Sequence, residues 1–158
     1  MKFTLSWLKD YLDTSASLDE IVEALTRVGL EVEGVDDPAK LLAPYMTASV
    51  ISAEQHPNAD RLRLCTVDTG TEKLQVVCGA PNVAAGMKVP CALVGAKLPP
   101  SEEGGAPFEI KLGKLRGVES QGMLCSAKEL KLSDETSGLH ILAADAPVGQ
   151  NIREHLLL

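Results

Sequence analysis

Residues 114–126 read Lys114-Leu115-Arg116-Gly117-Val118-Glu119-Ser120-Gln121-Gly122-Met123-Leu124-Cys125-Ser126. Two cations lead the stretch, two glycines interrupt it, and a hydroxyl and an amide sit between the glycines. The pattern predicts a strand, a tight loop and a second strand, with polar groups held at the loop. Lys114 and Arg116 are two positions apart, so on a strand they share a face. Gly117 and Gly122 permit positive φ or a close backbone approach. Ser120 and Gln121 add short, adaptable hydrogen bonds. Two readings stay open: contact with phosphate and sugar, or a solvated strand face beside a turn.

Outward from this stretch, the middle of the chain reads as short β segments. Residues 46–52 are β-prone, 62–69 alternate, and Asp68-Thr69-Gly70-Thr71 is a turn before 73–78. Further strands are expected at 87–94, 108–112, 120–125 and 139–142. Regular spacing with turn residues between predicts a small closed barrel. Residues 98–107, rich in Pro and Gly, predict a mobile surface loop. Residues 126–132 fit one or two helical turns.

The flanks differ. Leu5, Leu8 and Leu12, with Trp7 and Tyr11, make one face of a short helix over 4–12. Leu5, Trp7 and Leu8 would need something to bury against. Ser17 and Glu20 form a capping box before the apolar stripe of Ile21, Val22, Leu25 and Val28, and Gly29 ends that helix. Residues 30–35 alternate and predict a strand, closed by Asp36-Asp37-Pro38, with a boundary near 37–41. Asn151 and Glu154 repeat the cap pattern before Leu156-Leu157-Leu158. An apolar run at a chain end is unusual, and predicts that the sequence is a piece of a longer polypeptide.

Composition narrows the function classes. The net charge is −7, but it is unevenly spread. Residues 1–39 hold 3 basic and 9 acidic groups, 40–131 hold 11 and 9, and 132–158 hold 1 and 4. The acid lies at the ends, and the middle is mildly basic. No apolar run approaches the ~18 residues that span a bilayer, and no secretory signal is visible, so a cytosolic protein is expected, with no membrane partner. Cys65, Cys78, Cys91 and Cys125 lie beside small apolar residues with no C-x-x-C pair, which predicts buried, reduced thiols rather than a metal site. No phosphate-cradling glycine motif or catalytic pairing is legible, so no catalytic residue is expected. Only Tyr45 and Phe108 are aromatic in the middle module, too few for stacking single-stranded bases. If that module binds nucleic acid, it grips backbone and shape.

Two companion motifs precede the opening stretch. In His56-Pro57-Asn58-Ala59-Asp60-Arg61-Leu62, Pro57 restricts its neighbours, and Asn58 and Asp60 set a tight connection. This is either a rigid inter-strand loop or a place where Arg61 or Arg63 meets phosphate. In Val77-Cys78-Gly79-Ala80-Pro81-Asn82, Gly79 and Pro81 shape a strand exit and leave Asn82 with donor and acceptor on a loop; structure and function are equally open there.

Together the three motifs resemble the tRNA-binding OB-fold domain over about residues 40–148. That family includes free-standing tRNA-binding proteins, the ends of some methionyl-tRNA synthetases, and the β subunit of bacterial phenylalanyl-tRNA synthetase. Residues 3–12 and 25–33 resemble the start of that β subunit. The resemblance implies a mainly β chain with a small α+β flank: a five-stranded OB barrel inserted in a split helix/strand domain. Residues 1–39 would be the first part of the split domain, 40–148 the barrel, and 149–158 the start of the second part. It implies tRNA contact through Asn82, Lys114, Arg116, Ser120, Gln121 and Met123, and no role with DNA. It also implies a longer ligase subunit, paired with an α subunit in an α2β2 tetramer that uses ATP, Mg2+ and phenylalanine. The ATP machinery lies elsewhere, so this piece is expected to be non-catalytic. About two to four usable cations imply weak, salt-sensitive binding. The rival readings are a scaffold domain with little tRNA contact and a free-standing tRNA-binding chaperone.

Overall fold

One long strand, β1 (Tyr45–Gln55), is the axis of the fold. Its first half pairs antiparallel with β4 (Lys88–Leu93), from Tyr45↔Ala92 to Ser49↔Lys88. Its second half pairs antiparallel with β2 (Arg63–Asp68). The register slips between Val50 and Ser52, so Ile51 is an extra residue. Such a bulge bends a strand and increases its twist, which lets β1 curl and serve both sides of a barrel. These features come from a computed structural model that describes residues 1–100 and 105–156. The expected loop at 98–107 therefore lies partly outside the described residues, and Leu157 and Leu158 lie wholly outside them.

The five-stranded sheet has the order β3-β2-β1-β4-β9, with β3 at Lys73–Cys78 and β9 at Gly122–Leu124. Two small pairs flank it: β5 (Lys97–Leu98) with β6 (Phe108–Glu109), and β7 (Gly113–Leu115) with β8 (Val118–Ser120). The result is a mainly β chain built on a nearly closed, five-stranded antiparallel barrel. The strand expected at 120–125 is broken at Gln121, which leaves the ladder to bond β3 instead. The expected strand at 108–112 shortens to two residues. The one expected at 139–142 is irregular, although His140 N–H reaches Cys125 O at 3.2 Å and Leu142 N–H reaches Lys88 O at 2.8 Å.

Two cores are built on the two faces of these strands. Val50, Cys65, Val67, Val76, Val89 and Cys91 fill the barrel interior and are fully buried. Leu42, Tyr45, Ala92, Leu130 and Ile152 form a second cluster outside it. Cys91 and Ala92 are adjacent on β4 yet belong to different clusters, as strand alternation requires. Tyr45 donates its hydroxyl to Glu129 O at 2.7 Å. Burial pushes the Tyr45 phenol well above its ordinary range. All four cysteines are free and buried; burial pushes Cys65 up to about 11 and Cys91 up to about 12.

Helix α3 (Pro38–Leu42) enters the second cluster through Leu42. The Asp36-Asp37-Pro38 run does not close a strand here. Asp37 caps α3 by accepting from Ala39 N–H, and Pro38 occupies its first turn, where no N–H is needed. At the other end, α4 (Ile152–His155) is capped by Asn151, which accepts from Arg153 N–H. Thr47 N–H donates to Gln150 O, and Gly149 N–H to Thr47 O, both at 2.8 Å, so residues 149–151 lie along β1.

Residues Met1–Asp36 form a separate compact unit, and Asp37–Leu158 the other. The first holds α1 (Leu5–Tyr11), capped by Thr4, and α2 (Leu18–Arg27), capped by the Ser17–Glu20 box in both directions. Neither helix has a buried residue. The strand expected at 30–35 does not form: among the described residues no strand lies beside it. Alternation marks a face to be buried, but a strand also needs a neighbour for its backbone groups.

Candidate nucleic-acid interface

The candidate site is built on the β7–β8 hairpin. Its strands register Gly113↔Ser120, Lys114↔Glu119 and Leu115↔Val118, leaving a two-residue turn at Arg116-Gly117. Both turn residues have positive φ, 52° at Arg116 and 86° at Gly117. That is the sign pattern of a type I′ turn, which suits the twist of a hairpin. Glycine takes this conformation freely; arginine does not. Arg116 therefore stands at the tip of the turn rather than on a strand, so the same-face argument for Lys114 and Arg116 does not hold.

The His-Pro-Asn loop between β1 and β2 supports this turn. His56 is 2% exposed. Its Nδ1 accepts the Asn58 backbone N–H at 3.0 Å, which puts the proton of the neutral ring on Nε2. Nε2–H then donates to Leu115 O at 3.0 Å. Asn58 Nδ2 donates to Arg116 O at 3.1 Å. The loop itself is tied down: His56 N–H donates to Leu62 O at 3.1 Å, and Gln55 Nε2 to Ala59 O at 3.0 Å. The structural reading of this motif holds; Arg61 lies on the loop that meets the hairpin, and Arg63 begins the strand that follows it. Sequence reasoning quoted both motifs but had no signal joining them, since the bonded residues are 58 and 59 positions apart.

Ser120 and Gln121 are committed to closing the barrel. Gln121 N–H donates to Gln75 O at 2.8 Å, and Gln75 N–H to Gln121 Oε1 at 3.0 Å. Gln75 Nε2 donates to Glu119 O at 2.9 Å. Ser120 Oγ accepts from Val77 N–H and donates to Gly122 O, each at 3.1 Å. These bonds join β3 to the β8–β9 segment, where regular ladder pairing is missing. Gln75 was invisible as a site residue, being one glutamine on an alternating strand.

Asn82 is also occupied. Its Nδ2 donates to Leu139 O at 3.1 Å, and its Oδ1 accepts from Leu139 N–H at 2.8 Å. A Cβ at Gly138 would collide with the Asn82 amide, so the glycine makes room for that latch. Met123 is half-buried and packs against the outer core. It lines an open groove of about 830 Å³ with Tyr45, Leu98, Phe108 and Lys128, to which no hairpin residue contributes. Of the six expected site residues, then, only Lys114 and Arg116 present free, exposed polar groups. Among the described residues neither they nor Arg61 and Arg63 are ion-paired. The arrangement offers exposed cations to an anion. Among the described residues no group of three or more His, Cys, Asp or Glu side chains is placed to hold a metal ion. No helix among them is long and apolar enough to cross a membrane.

Comparison with known proteins bears on what the anion is. The sequence pattern described as "Putative tRNA binding domain" matches residues 46–151. The phenylalanine–tRNA ligase beta subunit of Cupriavidus pinatubonensis is 60% identical over 158 residues, covering 99% of this chain and 19% of that one. The corresponding subunit of Rhodospirillum rubrum is 51% identical, covering 100% and 19%. The chain thus spans about a fifth of the length of these relatives. Among solved structures, a MetRS related protein from Pyrococcus horikoshii aligns with a TM-score of 0.50 at 24% identity, over 75% of this chain and 96% of that one. That likeness concerns the fold alone. The match over 46–151 takes in β1 but for its first residue, β2 through β9, and every expected site residue, and the chain belongs to the tRNA-binding domain family.

Proposed function

We propose that this chain is the tRNA-engaging part of a phenylalanine–tRNA ligase β subunit, and that it grips the tRNA(Phe) backbone through Lys114 and Arg116. The observation that carries this reading is the β7–β8 hairpin: two exposed, unpaired cations, one on its first strand and one at a turn braced from a second loop. Phosphate contacts position a nucleic acid without reading bases, which suits a module with one exposed aromatic, Phe108, and no stacking face. Ser120 and Gln121 serve this contact from behind, by tying the end of β8 to β3, while Asn82 and Met123 steady the segment at Leu139 and the outer core. Arg61 and Arg63 are further candidates for phosphate.

Under this reading the aminoacylation chemistry, with ATP, Mg2+ and phenylalanine, belongs to the rest of the ligase and its α subunit in an α2β2 assembly. Residues 1–39 and 149–158 are the two parts of a split domain around the barrel. The ligase works in the cytosol, where the four buried thiols stay reduced.

Filter binding of tRNA(Phe) at low and physiological salt tests the reading. Lys114→Ala with Arg116→Ala should weaken binding and lower the slope of log K against log salt by about one to two. A second reading, a scaffold domain with little tRNA contact, draws on the commitment of Asn82, Ser120 and Gln121 to internal bonds and of Met123 to packing. It predicts no retention at low salt and no change in the double variant.

A further inference from the structure

We propose that His56 and Asn58 are positioning residues for tRNA engagement: they clamp the backbone of the Arg116 turn so that its guanidinium is presented to a phosphate. The inference rests on the tRNA-contact reading above and adds to it a second motif. Arg116 sits at φ 52°, a left-handed conformation that costs an L-residue energy and persists where the surroundings over-determine it. A hairpin that only had to turn would be served by Asn-Gly or Gly-Gly at these positions. This one keeps a long cation at the strained position instead.

What holds the strain is visible. His56 Nε2–H donates to the carbonyl of Leu115, and Asn58 Nδ2–H to the carbonyl of Arg116. Both bonds land on the backbone at the start of the turn. Neither touches the Arg116 side chain, which stays exposed. The clamp is itself fixed by the Asn58 N–H bond to His56 Nδ1 and by the tie from His56 N–H to Leu62 O. His56 is buried and Asn58 exposed. Asn58 is therefore the member whose truncation leaves the core in place.

The test is a double-mutant cycle on the whole chain, read as tRNA(Phe) affinity, with a thermal melt of each variant. Asn58→Ala should weaken binding about 3- to 10-fold when Arg116 is present. In an Arg116→Ala background it should change nothing, because there is no guanidinium left to position. If Asn58→Ala melts below the assay temperature, Asn58→Ser replaces it; its hydroxyl is one bond too short to keep the link to Arg116 O. Equal weakening in both backgrounds means a general loss of structure and overturns the proposal. So does no weakening in either, when Arg116→Ala itself lowers affinity; the tRNA-contact reading then stands without the clamp. If Arg116→Ala leaves affinity unchanged, both fall.

Discussion

The two units of this chain solve the same problem in different ways. In Met1–Asp36 the order is local. Thr4 caps α1, the Ser17–Glu20 box caps α2, and Arg27 pairs with Glu23 one turn away. Nothing in either helix is buried, and Trp7 and Tyr11 make an edge-to-face pair while 55% and 81% exposed. In Asp37–Leu158 the order is non-local. Latches between residues 43 to 59 positions apart close the barrel and its loops. Capping chooses where a helix starts, but burial supplies most of a helix's stability. The difference predicts that the two units respond to different perturbations.

The largest effect should come from the core. Leu130 is 1% exposed, and Leu130→Ala should cost about 2–5 kcal/mol in denaturant unfolding of the barrel. The helical signal of 1–36 should not follow it. Alkali comes next. Burial raises Cys91 from 9.0 to about 12 and Cys65 to about 11. A thiol with a raised folded value contributes stability below 9.0 that is lost as pH rises through the folded value. Barrel stability should fall between pH 9 and 12, by about 1.4 kcal/mol per pH unit for each thiol that ionises only on unfolding. A flat profile there would contradict the burial of the thiols.

Gly149 comes third. It has φ 85°, and a Cβ would lie 2.7 Å from Thr69 O. Gly149→Ala should cost about 1–3 kcal/mol, again only in the barrel transition. Ser17→Ala acts on the other unit. It should cost about 1 kcal/mol of helix stability, read as lost ellipticity with the barrel midpoint unchanged. The backbone bond from Ser17 holds the Glu20 carboxyl below its usual 4.5. The Glu20 half of the box thus contributes fully above pH 4.5 and fades as pH falls below it. The smallest effect is Leu30→Ser, at 58% exposure, which should stay within about 0.5 kcal/mol. A loss of several kcal/mol would mean that the unit has a core of its own.

The same contrast explains what the sequence disclosed. The Ser17–Glu20 box, the Asp68–Gly70 turn and the alternation of β2 are local signals, and the structure carries them where they were read. Positions 30–35 alternate as well as β2 does, yet they stay unpaired, because pairing depends on a partner that local alternation does not supply. The site splits along the same line. Gly117 marked a turn, and Lys114 and Arg116 marked its charge. That Ser120 and Gln121 would face β3, or that Asn82 would latch Leu139, depends on contacts across tens of residues that no spacing encodes. The His-Pro-Asn motif was legible as a rigid loop and illegible as the brace of another motif.

Amide hydrogen exchange of the chain with and without tRNA(Phe) tests the central claim most directly. The account predicts that bound tRNA slows exchange in residues 56–62 and 113–118, where the braced hairpin meets its loop, and leaves 5–35 unchanged. Protection confined to 5–35, with none at the hairpin, would contradict it.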